Sequence, residues 1–284
     1  MDDCCKAFEP VYNRHWLHIG QRHRTRQTAL ALSEILTLLV SFPWSHSRTF
    51  QHDYPEYVTV HWCPYFPPLV SSPRFVELLP RALVPLCGSL STRKGRCTGM
   101  ACIDSTPLAG CDNHRIATHQ VFAGVAARGK TSMGWFYGFK LPLIINDVGE
   151  LLALHVTPGN GDDRRPVEQR ATNLGKQLFG DRGSIAQTWQ DLLLGQGLAL
   201  LTKIRQNMKN RVIRLWDKLR LRKRSLMETI NDQLKNISHM EHTRHRRVTG
   251  CMVNLVAGLV AYSYRPTKPS LGLRRDPLMP MLVM

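Results

Sequence analysis

Three acidic residues stand in settings that suit phosphodiester chemistry. Asp104 ends an apolar run that begins at Met100, Asp181 ends a second run, and Glu228 lies in a long predicted helix. Attack on a phosphodiester adds negative charge to the phosphate, and two Mg²⁺ ions roughly 4 Å apart stabilise the attacking and leaving oxygens. Because Mg²⁺ takes carboxylate, water and phosphate oxygens, the three acids form a candidate metal site. A helix cap or a salt bridge is the alternative for each of them, since the chain has 21 acids.

The helix that carries Glu228 is predicted from Asp217 to Ile237. Its apolar residues repeat at about 100° per residue and predict one buried stripe, made of Leu219, Leu226, Ile230, Leu234 and Ile237. The opposite face carries Arg224, Glu228, Asn231 and Lys235. We therefore expect Glu228 to point away from the core. An ordinary ion pair of Glu228 with Arg224 is the alternative to a role in metal binding.

The charge of the chain points to a polyanionic partner. Lys and Arg number 38 against 21 Asp and Glu, which gives a formal net charge of +17 and a pI near 10. Residues 203–247 hold fourteen of these cations and only four acids. A phosphate backbone rewards such neutralisation by releasing counterions, so nucleic acid is the expected partner and the basic helix its expected contact.

A second motif, Gly124-Val-Ala-Ala-Arg-Gly129-Lys130-Thr131, satisfies the pattern of a phosphate-binding P-loop. A P-loop opens onto a helix N-terminus, whose free amides hold the phosphates. Here Trp135 and the aromatic residues after it favour a strand. We interpret the motif as a basic surface loop near nucleic acid, with a P-loop NTPase as the alternative function.

Cysteine content and hydropathy indicate a reduced, aqueous compartment. The eight cysteines are scattered, and Cys97, Cys102, Cys111 and His114 fit no common zinc spacing. No secretory signal or membrane span is predicted, because the apolar runs at 35–40 and 255–262 are too short to cross a bilayer. A cytoplasmic protein is expected.

The remaining pattern predicts a helical N-terminal region followed by a mixed α/β domain. Helices are expected over 28–40 and from Ser72-Pro73 onward, with Pro80 and Pro85 bending or interrupting the second one. A basic linker is predicted at 89–99. Five strand-like segments follow it, at 100–104, 135–145, 151–157, 174–181 and 198–204. A hairpin turn is predicted at 146–149 and a helix at 187–195. After residue 265 the sequence shows no period and predicts a poorly ordered tail.

Several ordered motifs together resemble the DDE transposases of bacterial insertion sequences, specifically the IS982 family. They are Ile103-Asp104-Ser-Thr-Pro-Leu, Ala126-Ala-Arg-Gly-Lys130, Met133-Gly-Trp-Phe, Thr157-Pro-Gly-Asn160, Leu178-Phe-Gly-Asp181 and Glu228-Thr-Ile-Asn-Asp-Gln-Leu-Lys235. The resemblance covers nearly the whole chain. Arg224-x3-Glu228-x6-Lys235 resembles the Y-x2-R-x3-E-x6-K signature of related transposases.

The resemblance implies an RNase H-like catalytic domain over 96–265, a DNA-end recognition domain over 1–95, and a tail over 266–284. It implies that Asp104, Asp181 and Glu228 bind two Mg²⁺ or Mn²⁺ ions, which cut the DNA and then join it to a target. Residues expected to contact DNA are Arg224, Lys235, Arg128, Lys130, Arg220, Arg222 and Lys223. The implied partners are double-stranded DNA, as terminal inverted repeats and target, and further copies of the chain in a dimer or higher synaptic complex, in the bacterial cytoplasm near the nucleoid.

The chain departs from the family pattern at three places. Leu221 stands where the signature has Tyr, Ser184 replaces a Tyr expected after Gly-Asp-x-Gly, and residues 43–46 match poorly. These departures leave two alternatives open beside an active transposase: a catalytically decayed DNA-binding protein and a nuclease of the same fold.

Overall fold

The computed structural model describes residues 1–18, 29–45, 47, 49–66, 68–111, 113–131, 134–162, 177–180, 187–195, 197–202, 225–238, 240 and 245–270. Its N-terminal part is helical, as the sequence predicts. The helices are α1 (Asp2–His18), α2 (Leu32–Ser41), the short α3 (Phe50–Asp53), which continues into a π-helical segment (Tyr54–Trp62), and α4 (Ser72–Thr92).

The second part is built on strands. They are β1 (Met100–Cys111), β2 (Ala127–Thr131), β3 (Gly134–Asn146), β4 (Leu151–Leu154), β5 (Thr157–Pro158), β6 (Gln177–Gly180) and β7 (Ala199–Thr202). Helix α5 (Gln187–Gly195) precedes β7, α6 (Ser225–Asp232) continues into a π-helical turn (Gln233–Ile237), and α7 (Val248–Ser263) follows. The mixed α/β class predicted from the sequence is confirmed.

All seven described strands form one mixed sheet. Its main order is β2-β3-β1-β6-β7, and β4 and β5 also pair with β3. β1 and β3 are antiparallel, with Asp104 opposite Leu143, whereas β1, β6 and β7 are parallel. This curled mixed sheet with flanking helices is consistent with an RNase H-like domain.

The two faces of the sheet bury different side chains, because neighbouring residues of a strand point to opposite sides. On one face, Leu141 and Leu143 of β3 belong to a large core shared with α2, α4, α6 and α7. On the other face, Ile103 and Ile144 pack in a smaller core that includes Leu193 of α5. The N-terminal helices therefore share a core with one face of the sheet.

One local prediction is wrong, and a second is wrong in its expectation that a helix is interrupted. β1 does not end at Asp104 but continues to Cys111 through Pro107. Pairing of β1 with β6 stops at Cys102 among the described residues, so a missing N–H at Pro107 breaks no described ladder on that side. Likewise, α4 runs through Pro80 and Pro85 without interruption. Pro85 is itself buried, and α4 packs along α7, so tertiary packing offsets the lost backbone hydrogen bonds.

The predicted turn between β3 and β4 is confirmed and is held from two sides. Within the turn, the side-chain oxygen of Asn146 accepts hydrogen bonds from the backbone N–H of Val148 and Glu150, at 3.2 and 2.8 Å. From outside, the buried hydroxyl of Tyr262 in α7 donates to the carbonyl of Gly149 at 2.8 Å. Helix α7 thus fixes a turn more than a hundred residues earlier in the chain.

Candidate active site at the junction of β1 and α6

Asp104 lies half-buried in the middle of β1, on the sheet face that α6 covers. It stands two residues beyond Cys102, where the described pairing with β6 ends. Cys102 points to the same face, because the two residues are two positions apart in a strand. Burial, with a smaller contribution from the nearby charge of Asp147, raises the pKa of the Cys102 thiol to about 12. The Cys102 thiol therefore stays protonated at neutral pH, and Asp104 is the acidic side chain of this strand.

The predicted helix is described only from Ser225, so Leu219 lies outside the described residues, and the rest of the apolar stripe is buried except at its end. Leu226, Ile230 and Leu234 are buried, whereas Ile237 is 37% exposed. The turn that contains Ile237 is π-helical, and its wider winding rotates Ile237 away from the stripe. Glu228 is exposed, in agreement with its predicted position opposite the stripe.

The prediction for Asn231 is wrong. The helical pattern placed Asn231 on the solvent face with Glu228, but its side chain is only 9% exposed. Met227, four residues earlier and on the same side of the helix, is 1% exposed. The buried face of α6 is thus wider than its apolar stripe and includes the side that carries Met227 and Asn231. The signal available in the sequence was an apolar residue, Met227, four positions before Asn231 and so on the same side of the helix.

Asn231 connects the helix to the strand. Its Nδ2 donates a hydrogen bond to Oδ2 of Asp104 at 2.9 Å. Glu228 lies three residues before Asn231, and residues at this spacing are neighbours on a helix, with Cβ atoms about 5–6 Å apart. Two of the three predicted acids, Asp104 and Glu228, therefore lie on neighbouring elements, β1 and α6. A hydrogen bond to Asp104 itself connects these elements.

The third acid and most of the predicted DNA contacts lie outside the described residues. They are Asp181, Arg220, Arg222, Lys223 and Arg224. Asp181 is the residue after Gly180, with which β6 ends. Lys235 is described and lies half-buried in the π-helical turn after α6. Their roles stay predictions.

Arg128 and Lys130 lie on β2, far along the sheet from Asp104. Both are exposed and approach the ring of Trp135, with the Arg128 guanidinium carbon 5.4 Å and the Lys130 Nζ 5.6 Å from its centroid. β2 and the start of β3 pair antiparallel and are called the hairpin below. Trp135 is 53% exposed and pairs with Lys130 across this hairpin. No acid occurs between Asp112 and Asp147 in the sequence, so this hairpin is a basic surface with an exposed aromatic ring.

The P-loop lookalike is part of this hairpin. Residues 127–131 form strand β2, not the loop that opens onto a helix. Gly129 packs so closely against the backbone of Gly159 and the ring of Phe136 that a Cβ would collide with both. The glycine is required for strand packing, and this geometry gives the NTPase alternative no support.

Among the described residues, no group of three or more His, Cys, Asp and Glu side chains lies close enough to hold a metal ion. The described part of the site nevertheless offers oxygen donors of the kind that hard cations prefer: the Asp104 carboxylate, the exposed Glu228 carboxylate one turn from Asn231, and the amide oxygen of Asn231 itself. That amide oxygen is buried and receives no hydrogen bond from any described group. These donor types are compatible with a divalent metal.

Comparison with known proteins identifies the class. The family model described as the transposase DDE domain matches residues 94–248, more than half of the chain. The matched segment includes Asp104, Asp181 and Glu228. A comparison with curated proteins found no match. No helix in the described part of the chain is long and apolar enough to cross a membrane.

The chain belongs to the transposase DDE domain family. It is thus a transposase by class, and its domain implies an enzyme of the polynucleotidyl-transferase type. Transposases generally act on DNA, and DDE domains generally use divalent metal ions.

Proposed function

We propose that this transposase cuts and joins DNA at the ends of an insertion sequence of the IS982 family, using Asp104, Asp181 and Glu228 to bind two Mg²⁺ or Mn²⁺ ions. The observation that carries the proposal is the 2.9 Å hydrogen bond from Asn231 to Asp104, because it joins the helix of Glu228 to the strand of Asp104. The family match over residues 94–248 supplies the class of reaction.

The assignment of Asp181 rests on the strand order. β6 runs parallel to β1, with Met100 of β1 paired to Gln177 of β6 and Cys102 paired to Phe179. Gly180 ends β6 close to the part of β1 that leads to Asp104, and Asp181 is the next residue of the chain. This register supports Asp181 as the second acid of the site.

The proposed reaction has two steps, a cut and a joining step, and both use the same carboxylates. The carboxylates hold the divalent ions, and the ions supply Lewis-acid stabilisation of the attacked phosphate when they are bound. Water is the nucleophile in the cut, and the 3′-hydroxyl freed by that cut is the nucleophile in the joining step. Each step forms one phosphorus–oxygen bond and breaks another, so no redox partner is required.

Cations outside the acidic site hold the DNA. We assign phosphate contacts to Arg224 and Lys235 beside Glu228, to the basic residues Arg220, Arg222 and Lys223, and to Arg128 and Lys130 on the hairpin. The N-terminal region, 1–95, recognises the terminal inverted repeats, and 96–265 is the catalytic domain. Two or more copies of the chain assemble with the two ends and the target duplex in the bacterial cytoplasm, at the nucleoid.

Conservative substitutions test the catalytic assignment. Asp104→Asn, Asp181→Asn and Glu228→Gln should each abolish Mg²⁺-dependent cleavage of DNA that carries the element's ends, while binding of the same DNA persists. Asp232→Asn is the matched control, because Asp232 is an exposed acid of the same helix whose carboxylate bonds Asn236 instead of the strand. Cleavage that survives in all three variants would show the triad to be wrong. Wild-type protein that binds the ends without cutting them would show a decayed copy.

The DNA around the gene separates transposition from general nuclease activity. An insertion sequence of this family should carry short inverted repeats on both sides of the gene, and the purified protein should cut at their outer ends. A protein that instead cuts repeat-free duplexes equally well would be a nuclease of the same fold.

A further inference from the structure

Asn231 is a buried polar side chain of α6 that makes a hydrogen bond to β1. Its side chain is 9% exposed, and its Nδ2 bonds Asp104 Oδ2 across 127 residues of sequence. Its neighbours on the buried face of α6, Met227 and Ile230, are apolar. If this position only had to fill space in the core, an apolar side chain would suit it better, because burial of an amide has a desolvation cost that burial of a methyl group does not have.

The second polar atom of Asn231 is not used by the fold. Its Oδ1 is buried, and no described group donates a hydrogen bond to it. Buried polar atoms in folded proteins are almost always paired, so an orphaned acceptor needs an explanation. The amide orientation is fixed by chemistry, because the opposite orientation would place Oδ1 against the Asp104 carboxylate oxygen, and neither atom is a donor.

We propose that Asn231 is a positioning residue for the metal site: Nδ2 fixes the orientation of the Asp104 carboxylate, and Oδ1 accepts a hydrogen bond from a water molecule of the assembled site. This inference rests on the proposed function, because it takes Asp104 to be a metal ligand. It accounts for both halves of the amide, one bonded within the fold and one left for a donor that enters with the ion. Partners of metal ligands that set their orientation act in this way in many proteins.

The test measures Mn²⁺ binding to the full-length chain without DNA, by electron paramagnetic resonance of free Mn²⁺. Asn231→Leu keeps the approximate volume and removes both polar atoms. We expect its Mn²⁺ affinity to fall about 10- to 100-fold, with metal-free DNA binding unchanged. Asn236→Leu is the matched control, since Asn236 is an exposed amide of the same helical segment that bonds Asp232. Its Mn²⁺ affinity should equal that of the wild type.

Two further variants keep the outcomes distinct. Asp104→Asn must itself lose Mn²⁺ binding; if it does and Asn231→Leu does not, the positioning role is overturned while the proposed function stands. If Asp104→Asn binds Mn²⁺ normally, the proposed metal site fails, and the inference with it. Asn231→Ser, which leaves room for water, serves if the leucine variant does not fold. Unfolding of both Asn231 variants under conditions where the wild type is folded would show a purely structural role and overturn the inference.

Discussion

Replacement of the hairpin cations, Arg128→Ala with Lys130→Ala, should weaken DNA binding without slowing the chemical step. Each cation that contacts a phosphate releases counterions from duplex DNA and contributes about 0.9 to the slope of log affinity against log salt. Loss of two contacts therefore lowers the slope by about 2. Between 50 and 200 mM salt, the affinity of the wild type should fall about tenfold more than that of the double variant.

The position of the hairpin predicts an unchanged rate at saturating DNA. Lys130 pairs with Trp135 and Arg128 with Tyr137, whereas Asp104 pairs with Leu143, eight and six residues further along the same strand. At about 3.3 Å per residue the separations along the strand are about 26 Å and about 20 Å. The screening length at physiological ionic strength is about 8 Å, so removal of the two charges changes the free energy at Asp104 by less than about 0.1 kcal/mol.

The assay combines binding by fluorescence anisotropy at several salt concentrations with single-turnover cleavage at saturating DNA. Lys130→Arg, which keeps the charge, should retain the wild-type slope. A salt slope that does not change in the double variant would refute the phosphate contacts. A cleavage rate at saturation that falls in step with affinity would refute the separation of the hairpin from the chemistry.

Three further predictions concern stability and reactivity. At pH 8 the exposed Cys63 should react readily with Ellman's reagent, whereas buried Cys102, whose pKa is about 12, should not react until the protein unfolds; a fast reaction of Cys102 in a variant whose other cysteines are replaced by Ser would contradict this packing. Gly129→Ala should lower the free energy of unfolding by about 1–3 kcal/mol through overpacking, measured by urea titration, whereas Gly195→Ala, where a Cβ meets nothing within 4 Å, should not destabilise. Tyr262→Phe should cost about 1 kcal/mol in the same titration, because it removes the buried hydrogen bond to Gly149; an unchanged midpoint would show the bond to be without effect.

Much of the fold is readable from local patterns. The stripe on α6 and the turn at 146–149 were predicted because helix periodicity and turn chemistry depend on residues close in sequence. The apolar helix α7 was not predicted as an element. It is buried almost all round, so it lacks the polar face that gives a helix its period.

The candidate site was predicted only in part, for a related reason. Asp104 and Glu228 follow from residue type and setting, but Asn231 was placed on the solvent face. Periodicity describes one helix against one core, whereas α6 packs against a second surface, the middle of β1, on the side of Met227 and Asn231. That contact joins residues 127 positions apart, which no local pattern contains.

The packing of α4 against α7 has a consequence for how the chain is made. More than 150 residues separate the end of α4 from the start of α7. At a synthesis rate of about 5–20 residues per second, the ribosome needs roughly 8–30 s after completing α4 to reach the start of α7. During that interval the side of α4 that packs against α7 in the folded protein is without that helix. Aggregation during expression should therefore depend on the speed of translation after α4, and slow codons in that stretch should lower the yield of folded protein.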